Sequence, residues 1–550
     1  MKNKLINALF LLAGEIGITY FSFKMAYAIY TFKQEGLESV LNAFNASVKN
    51  EPWKLDISNV MYQKFWLSCT MLYVITLLAI YASQRNYMRG QEHGTARWAT
   101  NSEVKAMRDR NIDNNILLSS TVSLSMNTRK TQRNNNVLVV GAPGRYKSRG
   151  FVRPNIMQLH SSFVVTDPKG ELYYDTKTML QNNGYDVKVL NLVDMQNSNS
   201  YNPFHYVKKD EDVLEMINCF MRNTRPKEIN STGDPFWEDA EKALLMAVCF
   251  YIWHELPVSE RNFATLAKMI VKGEEKEEDY QRVQTELDGI FEDLAVQKPN
   301  HIAVQQYKMY KLANSKTAQG VLITASSRLA PFNISAIAGI TESDDMEVEK
   351  MGYTKSALFV IIPDSHGTFN FLASMLYTQM FSTLYREAST QPQGRLPVHV
   401  RFILDEFANI GQIPDFDKKI ATMRGREISV SIIIQDFSQI ENLYKTTWKA
   451  IRGCCDTLLF LGTDEQTTLD DISRRLGKKT IDTRNSSYSK GGRGGYNIQF
   501  GILGRELMTA DEIRTMPMQD CIILIAGLKP IRSRKYQLEK HKRYKELVGN

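Results

Sequence analysis

The stretch from Val398 to Phe416, VHVRFILDEFANIGQIPDF, restricts the fold more than any other part of the chain. Apolar, β-branched and aromatic residues dominate it up to Leu404, which reads as a buried central strand, and the run ends in the paired carboxylates Asp405 and Glu406. An open α/β sheet keeps its chemistry at the carboxyl ends of its strands. A carboxylate placed there can hold the water shell of Mg²⁺ while its neighbour polarises an attacking water, the Walker-B arrangement of a nucleotide hydrolase. Acidic pairs also end ordinary strands, so the pair takes on this meaning only beside a phosphate-binding loop.

Such a loop follows the short apolar run Asn136–Val140 as GAPGRYKSRG, from Gly141 to Gly150, ahead of a segment able to start a helix. Strand, glycine-rich turn, Lys-Ser and helix is the layout in which backbone N–H groups and a helix dipole meet phosphates. The nucleotide-binding set is therefore Gly141, Ala142, Pro143, Gly144, Arg145, Tyr146, Lys147 and Ser148, with Lys147 on the β/γ-phosphates of ATP. Ser148 and Asp405 are the expected Mg²⁺ ligands, and Glu406 the residue that activates water. The usual pattern has glycine immediately before the lysine, where this chain has Tyr146. A bulky residue forced toward positive φ is unfavourable, which predicts a weakened nucleotide site or an altered loop.

Further strands are expected at Phe163–Val165, ending in the turn Asp167-Pro168-Lys169-Gly170 beside the phosphate loop, and in the alternating run Gly184–Leu192. YNPF, Tyr201–Phe204, closes this first half of a parallel sheet. From about Lys208 to Arg328 helical patterns replace strands, and Trp237–Trp253 reads as a buried helix, while Lys272–Gln281 is charged and solvated. The sheet resumes at Ala357–Ile362, followed by an apolar helix at Phe369–Tyr385, the Val398–Leu404 strand, Ile428–Ile434 and Asp456–Leu461. Gln435 ends the Ile428 strand, where an amide can sense a γ-phosphate or orient water. Arg424 and Arg426 precede that strand, and an exposed arginine there can be offered to a neighbour's nucleotide. Ser486–Gly504, with Lys490, Arg493 and Tyr496, reads as a flexible loop that either reaches a ligand or forms a hairpin tip. The tail from Lys529 to Lys545 is strongly basic, suited to phosphate, membrane headgroups or water.

Two apolar runs precede this body, Leu5–Phe23 and Phe65–Ala82, and about 18 apolar residues are enough to span a bilayer. Lys2 and Lys4 before the first run, and Arg85 and Arg89 after the second, place both ends in the cytoplasm. Glu15 and Lys24 are costly inside hydrocarbon and call for a partner helix. A cleavable signal peptide is the alternative for the first run. GQEHGTARWAT follows as a linker in which His93 and Trp98 are packed rather than catalytic. At 550 residues the chain exceeds one core, and its net charge of +8 points toward a polyanion or an anionic surface. No CxxC or Cys/His spacing occurs among Cys69, Cys219, Cys249, Cys454, Cys455 and Cys521, which predicts reduced thiols and no structural zinc.

HGTARWA, the phosphate loop, DPKGEL, YNPF, DPFWEDAEKALL, IPDSHGTFNFLASMLYTQMF and LDEFANIG…IPDF together resemble the type IV secretion coupling proteins, the TraG/TraD-type conjugative ATPases. The resemblance runs from about Glu92 to about Pro530. It implies a RecA-like, FtsK/HerA-related P-loop NTPase domain with an inserted all-α domain, preceded by two transmembrane helices. The expected boundaries are an anchor over 1–90, nucleotide-binding parts over 91–207 and 331–528, a helical insertion over 208–330 and a basic tail over 529–550. It also implies a ring, often hexameric, at the cytoplasmic membrane, with single-stranded DNA and a relaxase as cargo and the secretion channel as partner. Arg424, about 18 residues past Glu406, takes by resemblance the place of a trans-acting arginine finger, with Arg426 its near competitor. An FtsK/HerA-like DNA pump and a weakly hydrolysing docking platform are the competing functions, the second supported by Tyr146 alone.

Overall fold

The computed structural model describes residues 2–83, 90–224, 235–274, 284–313, 315–363, 367–488 and 496–547. Arg85, Arg89, Asp234, Glu275–Gln281, Asp364–His366, Lys490 and Arg493, which the sequence reading drew upon, lie outside them. The chain divides into two compact units, Met1–Glu92 and His93–Asn550.

The first unit is helical, with α1 (Lys2–Phe32), α2 (Leu37–Asn50) and α3 (Val60–Ser83). The two charges that troubled the first apolar run are both partnered. Lys24 is buried and its Nζ donates to the carbonyls of Ser47 at 3.0 Å and Glu51 at 2.6 Å, at the carboxyl end of α2, where the helix dipole favours a cation. Glu15 accepts from Thr70 Oγ1 of α3 at 3.2 Å, and Trp66 Nε1 donates to Thr19 Oγ1 at 3.0 Å. Within α3, Val60–Ile80 is the one straight helix among the described residues that is long and apolar enough to cross a membrane. The expected first span lies within the helix α1, and among the described residues the length-and-composition measure is met by Val60–Ile80 alone.

In the second unit, β1 (Asn115–Leu117) and β2 (Ser123–Ser125) form a small hairpin. The strands β3 (Val137–Gly141), β4 (Ser162–Asp167), β5 (Asp186–Asn191), β6 (Ser356–Ile361), β7 (Val400–Leu404), β8 (Ile428–Ile434) and β9 (Thr457–Gly462) follow. After a separate ribbon of β10 (Lys478–Tyr488) and β11 (Tyr496–Glu506) come β12 (Asp520–Ile525) and β13 (Ile531–Arg534). The main sheet has nine strands in the order β13-β12-β9-β3-β8-β7-β4-β6-β5, parallel from β9 to β5 and antiparallel at β12 and β13. Alternation along each strand divides the core between the two faces. Val137, Val139, Phe163, Ile403 and Ile433 pack on one face; Leu138, Val140, Val164, Phe402, Leu404 and Ile432 pack on the other.

The residues between β5 and β6 carry helices and no strand among those described, and the helical run continues to Ser335–Glu342, past the expected limit at 330. Phe220, Phe250, Phe263 and Phe332 from this segment join the same core cluster as the β3, β7 and β8 side chains, so its apolar interior is continuous with one face of the sheet. The expected buried helix runs Pro235–Glu255.

Three expectations are corrected. Ser486–Gly504 is for the most part paired strand: β10 and β11 keep antiparallel register from Lys478↔Glu506 to Tyr488↔Tyr496. Glycine content suggested a loop, but a two-stranded ribbon satisfies its backbone in spite of Gly501 and Gly504. The basic tail contributes β13 to the sheet edge, with Lys535, Leu538, His541 and Leu547 buried after it, so it is in large part structural rather than solvated. The expected linker is bonded to the body instead: Thr95 bridges Lys479 and Ala99 N donates to the Pro530 carbonyl at 2.8 Å, and Trp98 rests on the core while His93 is exposed.

A buried ion pair organises the helical segment. The Arg328 guanidinium donates from Nε and Nη2 to both Glu241 oxygens at 2.8 and 2.9 Å, and from Nη1 to the Met221 carbonyl and Thr224 Oγ1, both at 2.9 Å. Removing one partner of such a pair leaves a buried charge unmatched, at about 3–5 kcal/mol. Arg328→Met is therefore expected to lower the Tm of the full-length protein sharply in thermal unfolding, and Glu241→Leu with Arg328→Met to recover most of the loss.

Candidate functional site

At the carboxyl ends of β3, β8 and β7, three neighbouring strands deliver the residues singled out in the sequence. After β3 the chain turns through Gly141–Lys147, with Ala142 N donating to the Gly462 carbonyl at 2.9 Å and Arg145 N to the Ala142 carbonyl at 3.2 Å. Gly144 has φ +75° and Tyr146 φ +69°. The left-handed conformation expected at Tyr146 is thus present, and for a non-glycine residue it costs about 1–2 kcal/mol. A helical turn begins at Ser148, with Gly150 N donating to the Tyr146 carbonyl at 2.8 Å, and runs on into Arg153–Ile156. Lys535, buried after β13, donates from Nζ to the Arg145 carbonyl at 3.2 Å and lies 5.8 Å from the centre of the Tyr146 ring. Burial pulls its ammonium down to about 8.

β7 ends in Asp405 and Glu406, and Glu406 turns into the left-handed region at φ +50°, which swings its side chain away from the strand direction. Ser148 Oγ donates to Asp405 Oδ2 at 3.0 Å, and Asp405 Oδ1 accepts from Glu406 N at 3.1 Å. Lys147 Nζ lies 2.9 Å from Glu406 Oε1, and Gln435 Nε2, at the end of the intervening strand β8, donates to Glu406 Oε2 at 3.1 Å. Gln435 N in turn donates to Gln439 Oε1 at 2.9 Å. Burial, with the neighbouring Glu406 charge next, raises the Asp405 carboxyl to about 6.

These groups line a cleft of ≈ 680 Å³ together with Asp167, Lys169, Arg149 and Asn409. Asp167, whose Oδ2 accepts from Tyr173 N at 2.9 Å, is also raised to about 6 by burial. β4 is separated from β3 by β8 and β7, so the DPKG turn faces the phosphate loop across the cleft and is not its neighbour in the sheet. Asp167, Lys169 and Asn409 were not assigned to the site from sequence. The signal was there for Asp167, because it ends an apolar strand as Asp405 does.

Arg424 is exposed, its Nη2 donates to the Thr128 carbonyl at 2.9 Å, and it does not line the cleft of its own chain. Arg426 is committed internally, stacked on the Tyr385 ring at 4.6 Å and donating to the Tyr385 carbonyl at 3.2 Å and Ser389 Oγ at 2.8 Å. A larger cleft, ≈ 810 Å³, surrounds Trp448 and Arg452, but its central arginine is ion-paired with Asp471 and covered by Phe437.

A Mg²⁺ ion needs oxygen donors, and it commonly takes one or two carboxylates and completes its shell from water and phosphate. The Ser148 hydroxyl and Asp405 carboxylate, hydrogen-bonded to each other in the lining of the cleft, fit that donor set. Among the described residues no cluster of three or more His, Cys, Asp or Glu side chains offers an all-protein cage.

Residues 97–548 match the family described as type IV secretory system conjugative DNA transfer. Protein VirD4 of Rhizobium radiobacter is 25% identical over 501 residues, which cover 88% of this chain and 69% of that protein. A conjugal transfer protein TraG of Escherichia coli is 23% identical over 392 residues, 68% of this chain and 60% of that one. Among solved structures, the bacterial conjugative coupling protein TrwBdeltaN70 has a TM-score of 0.57 at 15% identity, covering 83% of this chain and 98% of that one. TrwB in complex with ADP and Mg²⁺ has a TM-score of 0.55 at 15% identity, covering 80% and 93%. These structural likenesses establish a common fold.

The burial of Asp405 has a measurable consequence. Its carboxyl titrates near 3.8 when unperturbed and near 6 in the folded chain, so the folded state binds that proton more tightly. Stability then falls as pH rises from about 4 to about 6, by about 3 kcal/mol in all. Asp405→Asn lacks this penalty. In Mg²⁺-free buffer its Tm is expected to exceed the wild-type value at pH 7.5, and the gap to close as pH is lowered through about 6 toward 4, in thermal unfolding at stepped pH.

Proposed function

Because the chain belongs to the type IV secretory conjugative DNA-transfer family, as a coupling protein, we propose that it is a membrane-anchored ATPase that brings a relaxase-bound single-stranded DNA to a secretion channel and drives its transfer. The observation that carries the ATPase reading is the set of contacts joining Ser148 to Asp405, and both Lys147 and Gln435 to Glu406, across three adjacent strand ends.

In this reading the N–H groups of Gly141–Ser148 and the Lys147 ammonium hold the β- and γ-phosphates of ATP. Ser148 and Asp405 hold Mg²⁺, which when bound supplies neutralisation of the phosphate oxygens. A phosphate beside Lys147 competes with Glu406 for its ammonium, and Glu406, released, turns to the attacking water. Gln435 keeps the Glu406 carboxylate oriented through Oε2. Glu406 accepts the proton as the water oxygen bonds to the γ-phosphorus and the bond to the ADP oxygen breaks. Arg424 completes the site of a neighbouring subunit in a ring, proposed to be hexameric; its exposure, against the engagement of Arg426 by Tyr385 and Ser389, is what favours it over Arg426.

The anchor is proposed to cross the cytoplasmic membrane twice through α1 and α3, leaving the nucleotide-binding body in the cytoplasm. Residues 91–207 and 331–528 are proposed as the two parts of the RecA-like domain, 208–330 as the all-α insertion that meets cargo, and 529–550 as a basic end.

The test is ATP hydrolysis by the full-length protein in detergent or nanodiscs. Wild-type activity is expected to rise with single-stranded DNA. Glu406→Gln is expected to lower kcat by about 10²–10⁴-fold, and Lys147→Ala to abolish phosphate binding. Arg424→Ala is expected to lose on the order of 10³-fold, and a mixture of Arg424→Ala with Glu406→Gln to recover part of the activity, because each subunit type supplies what its neighbour lacks. Absence of hydrolysis with and without DNA would overturn the motor and leave a docking platform.

A further inference from the structure

Tyr146 stands where glycine would relieve the backbone, and the residue is 48% exposed, so packing in the core does not account for its presence. The ring is shared by two clefts. On one side is the phosphate cleft; on the other, a cleft of ≈ 540 Å³ is built by Met518, Gln519, Tyr536 and Gln537, with Arg149 also common to both. We propose that this second cleft is a nucleoside site, in which a purine base lies against the ring of Tyr146.

The inference rests on the phosphate-binding reading above and deepens it. A nucleotide whose terminal phosphates lie between Lys147 and Asp405 must carry its base past one end of the loop, and the shared residues Tyr146 and Arg149 mark a continuous path into the second cleft. The chemistry of that cleft suits a purine. Tyr146 and Met518, the latter 53% exposed, offer flat or polarisable apolar surface. Gln519 and Gln537 add amides, each able to donate and to accept at a base edge. The ring is also held in place. Lys535 ties the Arg145 carbonyl, one residue before it, and stands 5.8 Å from the ring centre, while Arg149 is ion-paired with Glu539. The segment after β13 is thereby one wall of the nucleoside site, and the departure from glycine adds a stacking platform to a loop that elsewhere binds only phosphates.

The experiment compares Mg²⁺-ATP with Mg²⁺-tripolyphosphate, which has the phosphates and no base, by calorimetric titration of the full-length protein in detergent. Wild type is expected to bind ATP more tightly than tripolyphosphate. Tyr146→Gly is expected to bind ATP roughly 5- to 100-fold more weakly, the range for loss of one aromatic platform under a base, while binding tripolyphosphate no more weakly than wild type. Tyr146→Phe is expected to restore the preference for ATP, and Met518→Ala to reduce it. Equal or tighter ATP binding by Tyr146→Gly would overturn the proposal, as would a wild type that does not distinguish the two ligands; in both cases tripolyphosphate binding would leave the phosphate site standing. A wild type that binds neither would overturn the nucleotide reading and this proposal together.

Discussion

The contact between Lys147 and Glu406 sets the terms for everything around it. It joins the end of β3 to the end of β7, strands that are not neighbours, and it spans the gap left by β8. A short lysine–carboxylate contact over that gap needs both groups displaced from their strand directions. The positive φ of Glu406 does this on one side and the turn through Gly144 and Tyr146 on the other. Gln435 then occupies the middle position and reaches the free oxygen of the same carboxylate. The sheet order thus gives one carboxylate two partners from two different strands, and local backbone strain is maintained by the register of the buried parallel strands β3, β8 and β7.

Charge and burial are in tension at this site. Asp405 is almost wholly enclosed, and its carboxyl is raised because the ionised form is poorly solvated there. Ser148 and Lys147 oppose that shift, but they do not cancel it. Asp167 across the cleft is in the same condition. Two carboxylates that resist ionisation share the cleft with Lys147, Lys169, Arg149 and Arg153, and a cation at Asp405 would favour its ionised form.

How much of this could be read from the residues depended on whether the signal was local. β7, β8 and the phosphate loop were legible because an apolar run ending in a polar pair, or a glycine turn before Lys-Ser, carries its meaning within a few residues. The positive φ at Tyr146 was legible for the same reason, as a side chain in a place where the backbone turn wants none. The ribbon β10–β11 was not, since glycine and serine content speaks for a loop while the pairing that makes it a ribbon is set by register between two segments. The basic tail misled in the opposite direction: charge density suggested solvent, but the isoleucine and leucines spaced among the lysines carry an edge strand and a buried wall. The separation of the DPKG turn from the phosphate loop by two intervening strands is a matter of topology, which adjacency in sequence does not encode.

The position of β3 has a consequence for how the protein is made. This strand is among the first of the sheet to be translated, yet it lies between β8 and β9, which are among the later ones. Asn136 Oδ1, at its entrance, accepts from Val430 N across 294 residues of chain. At the usual pace of synthesis the ribosome takes roughly 15–60 s to cover that interval. During that time β3 has neither of its neighbours, and its valines and leucine are an unsatisfied edge. The helices of the first unit emerge before it, and the loop Gly141–Ser148 gains its final neighbours only when nearly the whole protein exists.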